Sequence, residues 1–177
     1  MKNRSMAQCA LFAALMCICA WICVPLGDGA FTLQTFGLFL ALELLGGKRG
    51  SLVCLVYLLL GAAGLPVFAG FRGGLGVLLS TTGGYIWGFL FAALVYWGIT
   101  HFGGNRLPVR LLALLSGLAL CYGLGTVWFM GVYAGGRDAM GLWAVLAKCV
   151  APYLLPDGLK LALALVLAPK LRRHLRC

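Results

Sequence analysis

The 177 residues are 63% hydrophobic and 10% charged, with a mean hydropathy of +1.01. Soluble domains run at about 45–50% apolar and about 25% charged, and disordered chains need low hydrophobicity, so both classes are excluded. The net charge of +10 comes from 14 basic and 4 acidic residues. The basic residues sit mostly at the ends of apolar runs, which is a topology signal and excludes nucleic-acid binding. An all-α integral membrane protein is expected, a single domain over residues 1–177 with room for about six spans.

The first apolar run covers residues 6–26, with Gln8 its one strongly polar residue. Lys2 and Arg4 precede it, as in a signal peptide. Its length and the lack of a small-x-small cleavage site favour a retained helix. The second and third runs, residues 31–45 and 51–63, are short at roughly 20–24 Å of helical rise. They read as two short helices or a re-entrant hairpin, broken by the Gly-Gly-Lys-Arg-Gly turn at residues 46–50. Residues 82–102 and 111–133 supply the fourth and fifth spans. Residues 140–151 predict a short helix at the outer interface, because Pro152 and Pro156 follow and proline breaks helices. The sixth span then starts at Pro156 and runs to about residue 171. Proline suits its first turn, and Asp157 sits at its positive N-terminal end.

Six spans place both termini on one side. Lys2, Arg4, Lys48, Arg49, Arg106, Arg110, Lys170, Arg172, Arg173 and Arg176 share that side, against Arg72, Arg137 and Lys148 on the other. The bias predicts cytoplasmic termini, with residues 64–80 and 152–157 on the outer face.

The eight cysteines (Cys9, Cys17, Cys19, Cys23, Cys54, Cys121, Cys149 and Cys177) form no CxxC pair and read as small apolar filler. His101 and His174 are far apart at span ends, which argues against a metal site. No phosphate-loop motif follows Gly46-Gly47-Lys48, so ATP hydrolysis by that route is excluded.

Charged groups at membrane depth are costly and therefore candidates for function. Four qualify: Glu43, Lys148, Asp157 and Lys160. Glu43 reads as a snorkelling partner of Lys48 or Arg49, and Arg137–Asp138 as a solvated loop pair. Asp157 and Lys160, spaced i, i+3, share one helical face. They are either a self-neutralising pair or a recognition site, in which Asp157 accepts ligand N–H groups and Lys160 meets a carboxylate. Residues 64–85 hold seven glycines and Pro66, which excludes a plain spanning helix. The stretch is expected to fold into the outer mouth of the bundle, offering backbone N–H groups, Phe68, Phe71 and Arg72. Ala10 and Ala14 form a small-xxx-small pair, beside Ala13 and Cys17. They fit either internal packing or docking of a separate membrane subunit.

These residues resemble the BioY family, the biotin-specific substrate-binding (S) components of energy-coupling factor (ECF) vitamin transporters. The resemblance runs over nearly the whole chain. It is carried by FTLQT at residues 31–35, LLLGAAGLPVFAG at 58–70, RGG at 72–74, TGGY at 82–85 with Gly88 and Phe89, and PYLLPD at 152–157 with Lys160. Thr81 and Gly158 depart from the pattern, where a proline and a larger residue stand. The resemblance implies a six-helix S-component fold in the plasma membrane, with an outward-opening pocket that captures biotin and no covalent chemistry of its own. No cofactor is implied beyond the transported ligand. It also implies a transmembrane coupling subunit, met by the Ala10–Ala14 face, and a pair of cytoplasmic ABC ATPases. Asp157 suits the ureido N–H groups of biotin, and Lys160 or Arg72 its carboxylate. Phe68, Tyr85 and Tyr153 enclose the apolar part, and Thr32 and Gln34 are lid candidates. Ala69, Gly70 and Gly73 of the loop belong to the same expected site. The alternatives are an S component for another vitamin, such as thiamin or riboflavin, a structural membrane protein with no ligand, and a small intramembrane enzyme using Asp157 as a base. The enzyme lacks a histidine, serine or metal constellation to complete its site.

Overall fold

The computed structural model describes residues 2–26, 29–134 and 141–175. Arg137, Asp138, Met140, Arg176 and Cys177, invoked above, lie outside them. The elements in order are α1 (Lys2–Trp21), a hairpin of β1 (Cys23–Leu26) and β2 (Gly29–Thr32), α2 (Gln34–Leu45), α3 (Gly47–Ala62), the single turn α4 (Leu75–Leu78), α5 (Gly83–Gly103), α6 (Leu107–Ala134), α7 (Leu142–Cys149) and α8 (Ala151–Leu175). Helices satisfy their own backbone groups, which lipid cannot do, so an apolar chain of this kind folds as helices wherever it is lipid-facing. Four of them are long and apolar enough to cross a membrane: Asn3–Trp21, Gly83–Gly103, Leu107–Val132 and Ala151–Arg172. At 12 residues α2 rises about 18 Å, short of the roughly 30 Å hydrocarbon core.

Three boundaries differ from the sequence-based expectation. The first run is helical only to Trp21; its remainder pairs antiparallel with Gly29–Thr32, Cys23 opposite Thr32 and Val24 opposite Phe31. Pro25 has no N–H to continue a helix and disfavours the α conformation at Val24, so the chain turns extended there. The same hairpin takes Phe31 out of the second run. Leu33 N then donates to the carbonyl oxygens of Cys19 and Ile22, capping the end of α1. The second boundary is the break between α2 and α3. It is confined to Gly46, at φ +79°, and Lys48 and Arg49 fall in the first turn of α3. The third is α8, which begins at Ala151, so Pro156 lies inside the helix. Pro152 takes the first-turn position that suits proline, while Pro156 removes only one bond of the second turn. Asp157 is therefore not at the helix N-terminus, and its charge must be met by side chains.

α5 and α6 pack as an antiparallel pair through small residues. A Cβ on Gly88 would lie 2.6 Å from Cys121 Sγ, and one on Gly117 would lie 2.9 Å from the Ala92 carbonyl oxygen. α2 and α8 run side by side in one direction, since Thr35 meets Asp157 near one end and Glu43 meets Arg172 near the other. The β hairpin, residues 64–82 and α7 thus gather at one end of the bundle, and the α2–α3 and α5–α6 junctions at the other. Met16, Phe39, Val53, Tyr57, Ala93, Leu114 and Ala164 are buried between the helices.

Glu43 does not pair with Lys48 or Arg49, both of which are exposed. It is 1% exposed, accepts a hydrogen bond from Tyr96 Oη at 3.0 Å and lies 3.4 Å from Arg110 Nε. Arg172 Nη2 donates to its carbonyl oxygen. Its side chain turns into the bundle, where a carboxylate persists only with a near partner, and α6 supplies one.

Candidate functional site

A cavity of about 440 Å³ opens at the hairpin end, within the range of small-molecule sites. Its walls come from β1 and β2, α2, residues 68–70 with Arg72, α4, α5, α6, α7 and α8. Of the residues singled out from sequence, Asp157, Lys160, Arg72, Phe68, Ala69, Gly70, Tyr85, Tyr153, Thr32 and Gln34 line it. Gly73 does not. It packs behind the loop, where a Cβ would come within 2.1 Å of the Leu65 carbonyl oxygen. Phe71 also stays out of the cavity. It is 63% exposed, at φ +57°, and stacks on Trp21 at 5.2 Å between ring centroids. Lys148 is exposed on α7 and does not line the cavity. Among the described residues no cysteine is in a disulfide; five of the seven are buried, while Cys23 and Cys149 are half-buried against the cavity.

Asp157 and Lys160 are 4% and 7% exposed, with Nζ 2.7 Å from Oδ1. Thr35 Oγ1 donates to the same oxygen at 2.8 Å, and Tyr122 Oη donates to Oδ2 at 2.6 Å. The ammonium donates also to the Thr32 carbonyl oxygen at 2.7 Å and to Thr35 Oγ1 at 3.2 Å. An ammonium has three N–H groups, so Lys160 is fully committed within the protein. It also lies 4.2 Å from the centroid of the Phe31 ring, a cation–π contact. A carboxylate offers about four acceptor positions; three are taken, and the open one is on Oδ2.

The lid candidates Thr32 and Gln34 belong to a polar chain that anchors the mouth. Thr32 Oγ1 donates to Gln34 Oε1 at 2.9 Å, Gln34 Nε2 to Tyr57 Oη at 2.6 Å, and Tyr57 Oη to the Val67 carbonyl oxygen at 2.9 Å. This chain ties the hairpin to α2, α3 and the glycine-rich loop. Trp21 Nε1 adds a bond to the Pro66 carbonyl oxygen at 2.7 Å. The loop is wedged by Phe68, 1% exposed, whose ring rests against Gly61; a Cβ there would lie 2.0 Å from its edge. Arg72 is exposed, lines the cavity and donates from Nε to the Ala69 carbonyl oxygen at 3.2 Å. Tyr85 Oη and Thr126 Oγ1 are buried with no hydrogen-bond partner among the described residues.

Sequence reasoning missed Tyr122 and gave Thr35 no role, though Thr35 lies in a motif it singled out. The available signal for Tyr122 was a hydroxyl-bearing ring in the middle of an otherwise apolar run.

Fold and site define a multi-pass membrane protein with a solute-sized, polar-floored cavity at one end of its bundle. The BioY family profile matches residues 1–177, so the chain belongs to the BioY family. The chain is 37% identical over 170 residues to "Biotin transporter BioY" of Thermotoga maritima, covering 96% of each protein. It is 39% identical over 172 residues to "Probable biotin transporter BioY" of Pyrococcus horikoshii, covering 97% of this chain and 98% of that one. Its fold is that of the crystallised S-component for biotin from an ECF-type ABC transporter. The TM-score is 0.82 at 24% identity, over 97% of this chain and 92% of that one.

Proposed function

We propose that the chain is the biotin-binding S component of an ECF transporter, one membrane domain that captures biotin from outside and hands it on with a coupling subunit and two ABC ATPases. The donor saturation of Lys160 carries the site reading. With all three N–H groups engaged, Lys160 compensates Asp157 and leaves no donor for a ligand carboxylate. That task falls to Arg72, a cation that lines the cavity and whose Nε is held by the Ala69 carbonyl oxygen. The open acceptor position of Asp157 takes a ureido N–H, and the Tyr85 hydroxyl supplies a donor for the ureido carbonyl. Phe68 and Tyr153 enclose the apolar part. Among the described residues that line the cavity, Arg72 is the cation with no carboxylate paired to it, which suits an anionic tail and disfavours cationic thiamin.

In this reading α1, α2, α3, α5, α6 and α8 are the six helices of a plasma-membrane protein, with α2, too short to cross the hydrocarbon core alone, packed among α1, α3 and α8. The end bearing Lys48, Arg49, Arg106, Arg110 and Arg172 faces the cytoplasm, by the positive-inside rule, which puts the cavity outside and both termini inside. Ala10 and Ala14 are exposed on α1 while Ala13 and Cys17 are buried. The first pair is therefore the face offered to the coupling subunit.

Calorimetric titration of the detergent-purified protein tests the ligand. Stoichiometric binding of biotin with silence for thiamin and riboflavin is the expected result. Silence with biotin from a folded sample would overturn the assignment.

A further inference from the structure

We propose that Tyr122 is the specificity-determining residue of the cavity, restricting Asp157 to neutral N–H donors; this rests on the reading of the site as a biotin pocket. Oδ1 is filled by Lys160 and Thr35, so ligand recognition depends on Oδ2. Tyr122 takes one of the two acceptor directions of Oδ2, at 2.6 Å, and so limits Oδ2 to one further donor, on a side chain that lines the cavity. The bond joins α6 to α8 across the cavity, and both side chains line it. The Lys160 cation and two hydroxyl donors already stabilise the carboxylate charge. A neutral N–H gains an acceptor there. A cationic donor meets a pair already neutral, beside the Lys160 ammonium, and loses its hydration for little return.

Removing the hydroxyl changes both properties. The Tyr122→Phe substitution frees the second direction of Oδ2, so the acceptor is no longer limited to one further donor. It also leaves the carboxylate charge less compensated, which favours a cation. A merely structural tyrosine would weaken every ligand alike.

The test compares biotin with iminobiotin, its guanidine analogue, by calorimetry on the whole protein. Tyr122→Phe is expected to weaken biotin about tenfold and to shift the biotin-to-iminobiotin affinity ratio at least about tenfold toward the analogue at a pH where it is cationic. Equal loss for both ligands, or no change, overturns the inference. A second measurement needs no variant: on the wild-type protein, iminobiotin affinity should rise with pH as its neutral form appears. Affinity that rises as pH falls overturns the inference even if Tyr122→Phe does not fold. Wild-type silence toward biotin is a different failure, which overturns the pocket reading and this inference with it.

Discussion

Neutralising Asp157 while leaving Lys160 in place separates the charge balance of the site from its shape. In Asp157→Asn the side-chain oxygen can still accept from Thr35 or Lys160, so the geometry changes little. The Lys160 ammonium keeps the Thr32 carbonyl oxygen at 2.7 Å but loses its counter-ion, also at 2.7 Å, while only 7% exposed. Breaking one side of a buried pair costs about 3–5 kcal/mol, because a buried charge is left unmatched. The two retained hydrogen bonds of Lys160 place the expected loss at the low end, about 3 kcal/mol. Adding Lys160→Met removes the stranded cation and leaves an apolar side chain of similar length. The double variant should recover at least about 1.5 kcal/mol of that loss. Denaturation in detergent, followed by size-exclusion recovery of the folded fraction, measures both variants. Biotin binding should weaken by about 2 kcal/mol or more in Asp157→Asn and in Lys160→Ala, and should not return in the double variant. An Asp157→Asn protein within about 1 kcal/mol of wild type would refute the reasoning. So would a double variant whose loss is the sum of the single losses.

Arg72→Gln should weaken biotin roughly tenfold or more while leaving the affinity for a biotin amide unchanged; equal loss for both ligands would detach Arg72 from the carboxylate. Ala10→Trp should abolish uptake in cells expressing the coupling proteins and leave binding by the purified chain intact; lost binding would mean that this face packs inside the subunit. Glu43→Gln should destabilise the protein by about 3 kcal/mol, because Arg110 loses its counter-ion at the far end of the bundle. Biotin affinity of the folded fraction should stay unchanged, and a selective loss of affinity would show that the two ends communicate.

Membrane class, the position of most helices and the Asp157–Lys160 pair were legible because each rests on local composition or i, i+3 spacing. The glycine-rich loop was legible for the same reason, since seven glycines and a proline forbid a spanning helix. Three features were not legible. The hairpin hides inside an unbroken apolar run, where Ile22, Cys23 and Val24 suit a strand as well as a spanning helix, so hydropathy cannot place the change at Trp21. Pro156 looked like a helix start because proline favours that position, but Pro152 occupies it and the helix tolerates the second ring. The partners of Glu43 and Asp157 lie on helices remote in sequence, at Arg110 and Tyr122. Charge proximity along the chain pointed to Lys48 and Arg49 instead. A tyrosine among apolar residues carries no sign of the carboxylate it meets, since that contact exists only once α6 faces α8.

The most direct test is a crystal structure of the protein with biotin bound. The account predicts a ureido N–H within hydrogen-bond distance of Asp157 Oδ2 beside the Tyr122 hydroxyl, with the carboxylate against Arg72 and Lys160 still held by Thr32, Thr35 and Asp157. Biotin in the reverse orientation, with its carboxylate on Lys160, or bound outside the cavity, would contradict it.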